Sequence, residues 1–134
     1  MAASVLAMMP VAAQAQSFTT AAEVKPILQA TRASWIAVRE YNGQDLLYFT
    51  NVLAWRCGLS EIRYGLNGAG TDTVLAMEPC HDGEAAPNAL NMDQGVLIYV
   101  TLPLQSVQAV RVVVVFDDGT EEAADYDRAA VLTP

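Results

Sequence analysis

The sequence has few basic residues. Seven Lys and Arg stand against fifteen Asp and Glu among its 134 residues, the formal net charge is −8, and Lys25 is the only lysine. Proteins hold nucleic acid and anionic lipid mainly through clustered Lys and Arg, which release counterions from phosphate. The charge balance therefore argues against both classes of partner. Hydrophobic residues make up 53 %, which excludes the composition of a disordered chain and suits one globular domain.

Long hydrophobic runs are also lacking. Residues 2–13 form an apolar, uncharged stretch that, at about twelve residues, falls short of the roughly twenty needed to span a bilayer. The small-x-small motif Ala13-Gln14-Ala15 follows it, as at a signal-peptide cleavage site. We predict a secretory signal peptide over residues 1–15, truncated at its N-terminus because a basic start is missing. A single β-sandwich domain is predicted over residues 16–134, soluble after cleavage and periplasmic or secreted.

Cysteine is scarce, since only Cys57 and Cys80 occur. In an oxidising compartment, an even pair in a small domain usually forms a structural bridge. Closing a loop of this length lowers the conformational entropy of the unfolded chain. This stabilises the folded state by roughly 3 kcal/mol. We therefore predict a disulfide between the two cysteines.

One short helix is predicted before a series of strands. Val24, Ile27 and Leu28 recur at helical spacing after Thr20, a good N-cap residue, which predicts a helix over residues 20–31. After this helix, the period of the hydrophobic pattern changes to two residues, which is typical of β-strands. Asn42-Gly43 separates two alternating segments and is typical of a tight β-hairpin turn, because both residues tolerate positive φ.

The remaining strand candidates follow at short intervals. They cover residues 59–66, 73–77, 96–102, 107–116 and 120–126. The runs 96–102 and 107–116 are nearly continuously apolar, which favours central strands covered on both faces. The acidic segment 120–126 is predicted to be a charged edge strand. Together these patterns predict an all-β fold: an immunoglobulin-like antiparallel β-sandwich of about seven strands preceded by one short N-terminal helix.

The long loop over residues 79–94 is the first candidate for a site. It contains the only histidine, His81, with Asp82 beside it and Glu78 just before the loop. Histidine and carboxylates, with Met77 or Cys80 nearby, are ligand types for periplasmic copper or zinc. The repeated spacing of a specific metal motif is absent, so an exposed loop histidine beside a structural bridge is the competing interpretation.

A second candidate is a possible binding surface formed by Trp55, Arg56 and Tyr48. Trp, Tyr and Arg contribute most of the binding energy at protein interfaces. Packing in the core is the competing interpretation for the same residues.

Two segments resemble small exported proteobacterial proteins that are uncharacterised and have no assigned activity. They are Ile27–Cys57 (ILQATRASWIAVREYNGQDLLYFTNVLAWRC) and Val112–Thr120 (VVVVFDDGT). The resemblance implies an exported location and nothing about chemistry.

No catalytic residues are predicted, because no nucleophile, base and orienting group occur together. The sequence favours a non-enzymatic periplasmic binding or envelope-support module without a cofactor. Its partner is an unknown envelope protein or small ligand, and its contact surface is an edge strand or the loop 79–94. The alternative is a periplasmic copper- or zinc-binding protein that uses the loop around His81.

Overall fold

The computed structural model describes residues 17–134, and this part of the chain contains eight strands and three α-helices. The predicted signal peptide over residues 1–15 lies outside the described residues. The strands are β1 (Ala37–Tyr41), β2 (Gln44–Tyr48), β3 (Leu59–Leu66), β4 (Thr73–Val74), β5 (Tyr99–Pro103), β6 (Ala109–Phe116), β7 (Glu121–Asp127) and β8 (Leu132–Thr133). The helices are α1 (Ala21–Ala30), α2 (Thr50–Leu53) and α3 (Arg128–Val131), with short 3-10 helices over Arg32–Ser34 and Arg56–Gly58.

The strands form two sheets of four, in the orders β5-β2-β1-β8 and β4-β3-β6-β7. Neighbouring strands are antiparallel, except that β8 runs parallel to β1. Buried side chains from α1 and from both sheets belong to one hydrophobic cluster. This architecture is mostly β and is consistent with the predicted sandwich. Eight strands replace the predicted count of about seven, and β4 and β8 have only two residues each.

Helix α1 begins where its capping sequence predicts. The Thr20 hydroxyl oxygen accepts the backbone N–H of Glu23, and the Glu23 carboxylate accepts the Thr20 hydroxyl proton in return. Val24 and Leu28 are fully buried. A Cβ at Gly58 would lie 2.4 Å from a methyl carbon of Val24, so glycine is what allows α1 to approach this closely. No helix among the described residues combines the length and apolar character that crossing a bilayer requires.

The first hairpin confirms the prediction from Asn42-Gly43. Tyr41 is paired with Gln44, and the two residues between them have φ of 52° and 74°. These positive values are those that a two-residue hairpin turn needs. The turn therefore brings β1 and β2 together as the central pair of the first sheet.

The prediction of a central strand over residues 96–102 is wrong. Strand β5 begins only at Tyr99 and lies at the edge of the first sheet, next to β2. Alternate residues of this segment face inward and pack against the core while partly buried; they are Ile98, Val100 and Leu102. Burial therefore explains why these positions of the apolar run are hydrophobic. The predicted strand over residues 73–77 is shortened to β4. The central position of β6 and the edge position of β7 are as predicted.

A fully buried carboxylate, Asp45, joins β2 to two other parts of the chain. Its oxygens accept two hydrogen bonds from the Arg128 guanidinium at 2.7 and 3.1 Å. They also accept the backbone N–H groups of Gln105 and Val107, both at 3.0 Å. Arg128 and these N–H groups lower the pKa of Asp45 to about 2 although burial opposes the shift. Asp45 therefore stabilises this end of the fold in its charged form.

We expect Asp45→Asn to lower the free energy of unfolding by about 3 kcal/mol, because it removes the buried countercharge of Arg128 and leaves this arginine only its pair with the exposed Glu40. Urea denaturation at neutral pH measures the change. The matched control is Asp125→Asn, which breaks an exposed pair with Arg111 and is expected to cost less than about 0.5 kcal/mol. Equal effects of the two variants would contradict the assigned role of Asp45.

The lowered pKa of Asp45 predicts that the free energy of unfolding depends on pH. A folded-state pKa of about 2, below the ordinary 3.8, stabilises the fold above about pH 4, and this contribution is lost as the pH falls towards about 2. We expect the wild type to lose more free energy of unfolding over this range than Asp45→Asn. Urea denaturation at a series of pH values tests this, and parallel curves for the two proteins would rule it out.

Candidate functional site

Arg56, one of the three residues of the possible binding surface, is buried, with a relative exposure of 2 %. Its guanidinium donates to four backbone carbonyls of the loop that follows β4 and to one carbonyl of α2. The acceptors are the carbonyl oxygens of Leu53, Glu78, Pro79, Asn88 and Ala89, at 2.6 to 3.3 Å. The N–H groups of this arginine are therefore committed inside the protein. Arg56 does not lie on the possible binding surface, and packing in the core, the competing interpretation, describes it.

The Glu78 side chain is buried beside Arg56. Its carboxylate lies 3.4 Å from the guanidinium and 2.5 Å from Nε2 of His81, and it accepts the backbone N–H groups of Asn91 and Met92. The hydrogen bond with His81 is the largest cause that lowers the pKa of Glu78 to about 2, and the two N–H groups and Arg56 act in the same direction. Glu78 thus links the buried arginine to both ends of the long loop.

The predicted disulfide between Cys57 and Cys80 is confirmed. Next to it, the Asn88 side-chain oxygen accepts the backbone N–H of Cys57, and its amide donates to the carbonyl of Phe18. The bridge and Asn88 therefore attach the loop to the body of the protein at the same place as Arg56. Asn88 had no signal in the sequence beyond its place in a loop.

The residues of the predicted metal site do not form a group of free ligands. Both oxygens of Glu78 are already hydrogen-bonded, Cys80 is in the disulfide, and Asp82 is exposed. His81 has Glu78 on one ring nitrogen and Glu84, at 3.3 Å, near the other. Within residues 17–134 no cluster of three or more His, Cys, Asp or Glu side chains is arranged to hold a metal ion. The copper or zinc alternative stays a prediction that this donor set does not favour.

Trp55 and Tyr48 are half-buried and lie in different places. Trp55 packs edge-on against the Phe18 ring, with centroids 5.1 Å apart, and Tyr48 packs against Tyr99 at 5.3 Å. They line two separate surface cavities. The structure therefore does not bring Trp55, Arg56 and Tyr48 together as one binding surface.

A groove of about 750 Å³ lies between α1 and β7. Alanine side chains form much of its lining. Its one arginine, Arg32, already donates to the Glu122 carboxylate and to the Ala123 carbonyl. The polar side chains of Gln29, Asp125 and Tyr126 in its wall are likewise hydrogen-bonded within the protein. The groove therefore offers few free polar groups that would orient a ligand.

The open side between β4 and β5 has a different character. A groove of about 340 Å³ there is lined by apolar side chains from both sheet edges and from the segment before β5. Val74 and Leu97 are 56 % and 49 % exposed at its rim. Tyr64, Leu75 and Val100 line its inner part. We refer to this surface, formed by Tyr64, Val74, Leu75, Leu97, Tyr99 and Val100, as the edge groove.

The loop network positions one wall of the edge groove. Glu78 holds the N–H groups of Asn91 and Met92, immediately before a turn in which Met92 and Gly95 both have positive φ. The chain leaves this turn through Leu97, on the groove rim. Arg56 and the disulfide fix Glu78, so the buried network determines where that wall lies. Sequence reasoning identified the loop and the cysteines but missed the groove, whose residues come from three separate segments.

Comparison with protein-family models, with curated proteins and with solved structures found no match to this chain.

Arg56→Met is expected to lower the free energy of unfolding by about 3 kcal/mol, because it leaves Glu78 charged and buried and several carbonyls without donors. Urea denaturation gives the free energy, and amide hydrogen exchange shows whether residues 79–92 open first. Arg39→Met is the matched control, since Arg39 is exposed and lies over the Tyr41 ring. Its expected cost is below about 0.5 kcal/mol. Unchanged exchange in the loop of Arg56→Met would contradict the anchoring role.

Proposed function

We propose that this protein is a non-enzymatic periplasmic binding module whose contact surface is the edge groove. Its partner in this proposal is a polypeptide segment of another envelope protein. The exposed apolar rim of the groove, formed by Val74 and Leu97, is the observation that carries the proposal. Exposed apolar surface concentrated on one side of a small domain is typical of an interaction site.

The distribution of exposed apolar residues supports this location. Val74 and Leu97 line the groove, while Met92 and Leu104 lie in the turns before and after the segment that contains β5. These four are among the six large hydrophobic residues that the described chain exposes. The remaining two, Tyr41 and Leu132, lie on β1 and β8. A partner that covers the edge groove would remove Val74 and Leu97 from water.

The charge of the chain limits the chemistry of the partner. The net charge is −8, and the sequence of β5, YVTLP, carries no charge. An acidic segment would be repelled by the protein as a whole, whereas a neutral or basic segment would be attracted. The partner segment is therefore apolar where it enters the groove and neutral or basic around it.

Location and fold class complete the proposal. The disulfide supports an oxidising compartment, in line with the predicted signal peptide and with the resemblance to exported proteins. The immunoglobulin-like assignment is also part of the proposal, supported by two mainly antiparallel sheets with a shared core. No contact or distance among the described residues favours copper or zinc binding as a second function.

A library of random linear peptides panned against the mature protein tests the proposed function. We expect peptides with an apolar residue flanked by neutral or basic ones, and Leu97→Asp should weaken their binding at least about tenfold, as measured by fluorescence anisotropy. Leu132→Asp is the matched control, since Leu132 is 45 % exposed on β8, and should leave binding unchanged. Peptides that bind both variants equally, or a failure to enrich any peptide, would sink the proposal.

A further inference from the structure

The four edges of the two sheets differ in how far they are protected against pairing with another strand. Strands β4 and β8 are only two residues long. Strand β7 carries acidic side chains, and Arg32 caps its outer edge by donating to the Ala123 carbonyl. Short strands, charge and covered carbonyls are the usual ways in which proteins prevent pairing at sheet edges. Strand β5 has five uncharged residues, and only its last, Pro103, protects it.

The hydrogen bonds of β5 show which backbone groups face outward. Phe49 donates its N–H to the Ile98 carbonyl, so these two residues form a hydrogen-bonded pair just before β5. Such pairs alternate along antiparallel strands, which makes Val100 and Leu102 the next residues bonded to β2. The N–H and C=O groups of Tyr99 and Thr101 therefore point away from β2, towards the open edge.

The outward edge ends at Pro103. Proline has no N–H, and its carbonyl already accepts the backbone N–H of Ser106 at 3.0 Å. Only the backbone groups of Tyr99 and Thr101 are thus presented for pairing. The Val100 side chain, between them, points inward and lines the edge groove.

We propose that the partner binds by adding one antiparallel strand to β5. This inference rests on the proposed function and specifies its binding mode. Two residues of the incoming segment exchange backbone hydrogen bonds with Tyr99 and Thr101, and the residue between them, opposite Val100, places an apolar side chain in the edge groove. Backbone pairing then gives affinity, and the groove selects the central side chain.

The occupant is a segment of a different protein and not β5 of a second copy. Two copies would each bring a net charge of −8, whereas a neutral or basic segment meets no such repulsion. A neutral or basic extended segment with one central apolar residue fits both the charge and the groove.

Backbone methylation of the peptide tests the pairing directly. In the tightest peptide recovered from the library, N-methyl groups on the two residues that flank the central apolar one should weaken binding at least about tenfold, because they remove the N–H groups that bond to β5. A methyl group on the central amide should have little effect. The reverse pattern would overturn the antiparallel register, and equal binding of all methylated forms would overturn strand addition.

A variant of the protein provides the matching test. Thr101→Pro removes one outward N–H without touching the bonds to β2, and edge positions of this kind tolerate proline. It should weaken binding of the unmodified peptide at least about tenfold, while Thr101→Val, which keeps the N–H, should not. Circular dichroism checks that Thr101→Pro is folded.

Hydrogen exchange provides a readout that needs no variant. Adding the peptide should slow exchange of the Tyr99 and Thr101 amides, while the Ala123 and Asp125 amides on the β7 edge should not change. If Leu97→Asp weakens the peptide but exchange at β5 stays the same, the binding function stands and strand addition is wrong. Protection without peptide, rising with protein concentration together with a dimer in sedimentation, would overturn the hetero-partner in favour of a second copy.

Discussion

A loop without regular secondary structure must still pair its buried carbonyl groups, and in this protein the Arg56 guanidinium does so. It donates to four carbonyls of the segment 78–89 and to one of α2, and Glu78 supplies the countercharge. Arginine suits this role because it has five N–H donors in a rigid plane and stays charged when buried. The disulfide, the Asn88 cap and the Glu78 contacts surround this one cation. The loop therefore has a defined path although it contains no helix or strand.

The position of that loop has consequences for the surface. Glu78 holds the backbone of Asn91 and Met92, and the chain then passes Leu97 before it enters β5. One wall of the edge groove is therefore built on a buried hydrogen-bonded network, whereas Val74 on the opposite wall comes from a two-residue strand. A preformed wall lowers the ordering cost that binding must overcome. This is the physical link between a buried arginine and the proposed binding of an extended segment.

At the other end of β5, the buried carboxylate of Asp45 pairs backbone N–H groups, as the Arg56 guanidinium pairs backbone carbonyls in the long loop. It accepts the N–H groups of Gln105 and Val107, in the turn that follows Pro103, and pairs with Arg128 of α3. Strand β5 is thus fixed at both ends by buried charged groups while its outer edge stays open. A strand held in this way can present its backbone to a partner without losing its pairing to β2.

Short sequence motifs predicted the elements that depend on residues close together in the chain. Thr20 with Glu23 determined the start of α1, Asn42-Gly43 determined the first hairpin, and the two cysteines indicated their bridge. The position of β5 was missed because an apolar run is the same pattern in a central strand and in an edge strand whose inner face packs on the core. Strand order depends on pairings between segments far apart in the chain, which local periodicity does not encode.

The sequence by itself determined the composition class, the mainly β character, the first helix, the first hairpin turn and the disulfide, since each follows from residue type and short spacing. Only the tertiary structure decided that Arg56 is buried, because four of its five carbonyl partners lie 22 to 33 positions further along the chain. The same holds for the edge groove, whose walls come from β3, from β4 and the residues after it, and from the segment leading into β5. Burial and grooves arise from contacts between distant segments, and the fold alone establishes those contacts.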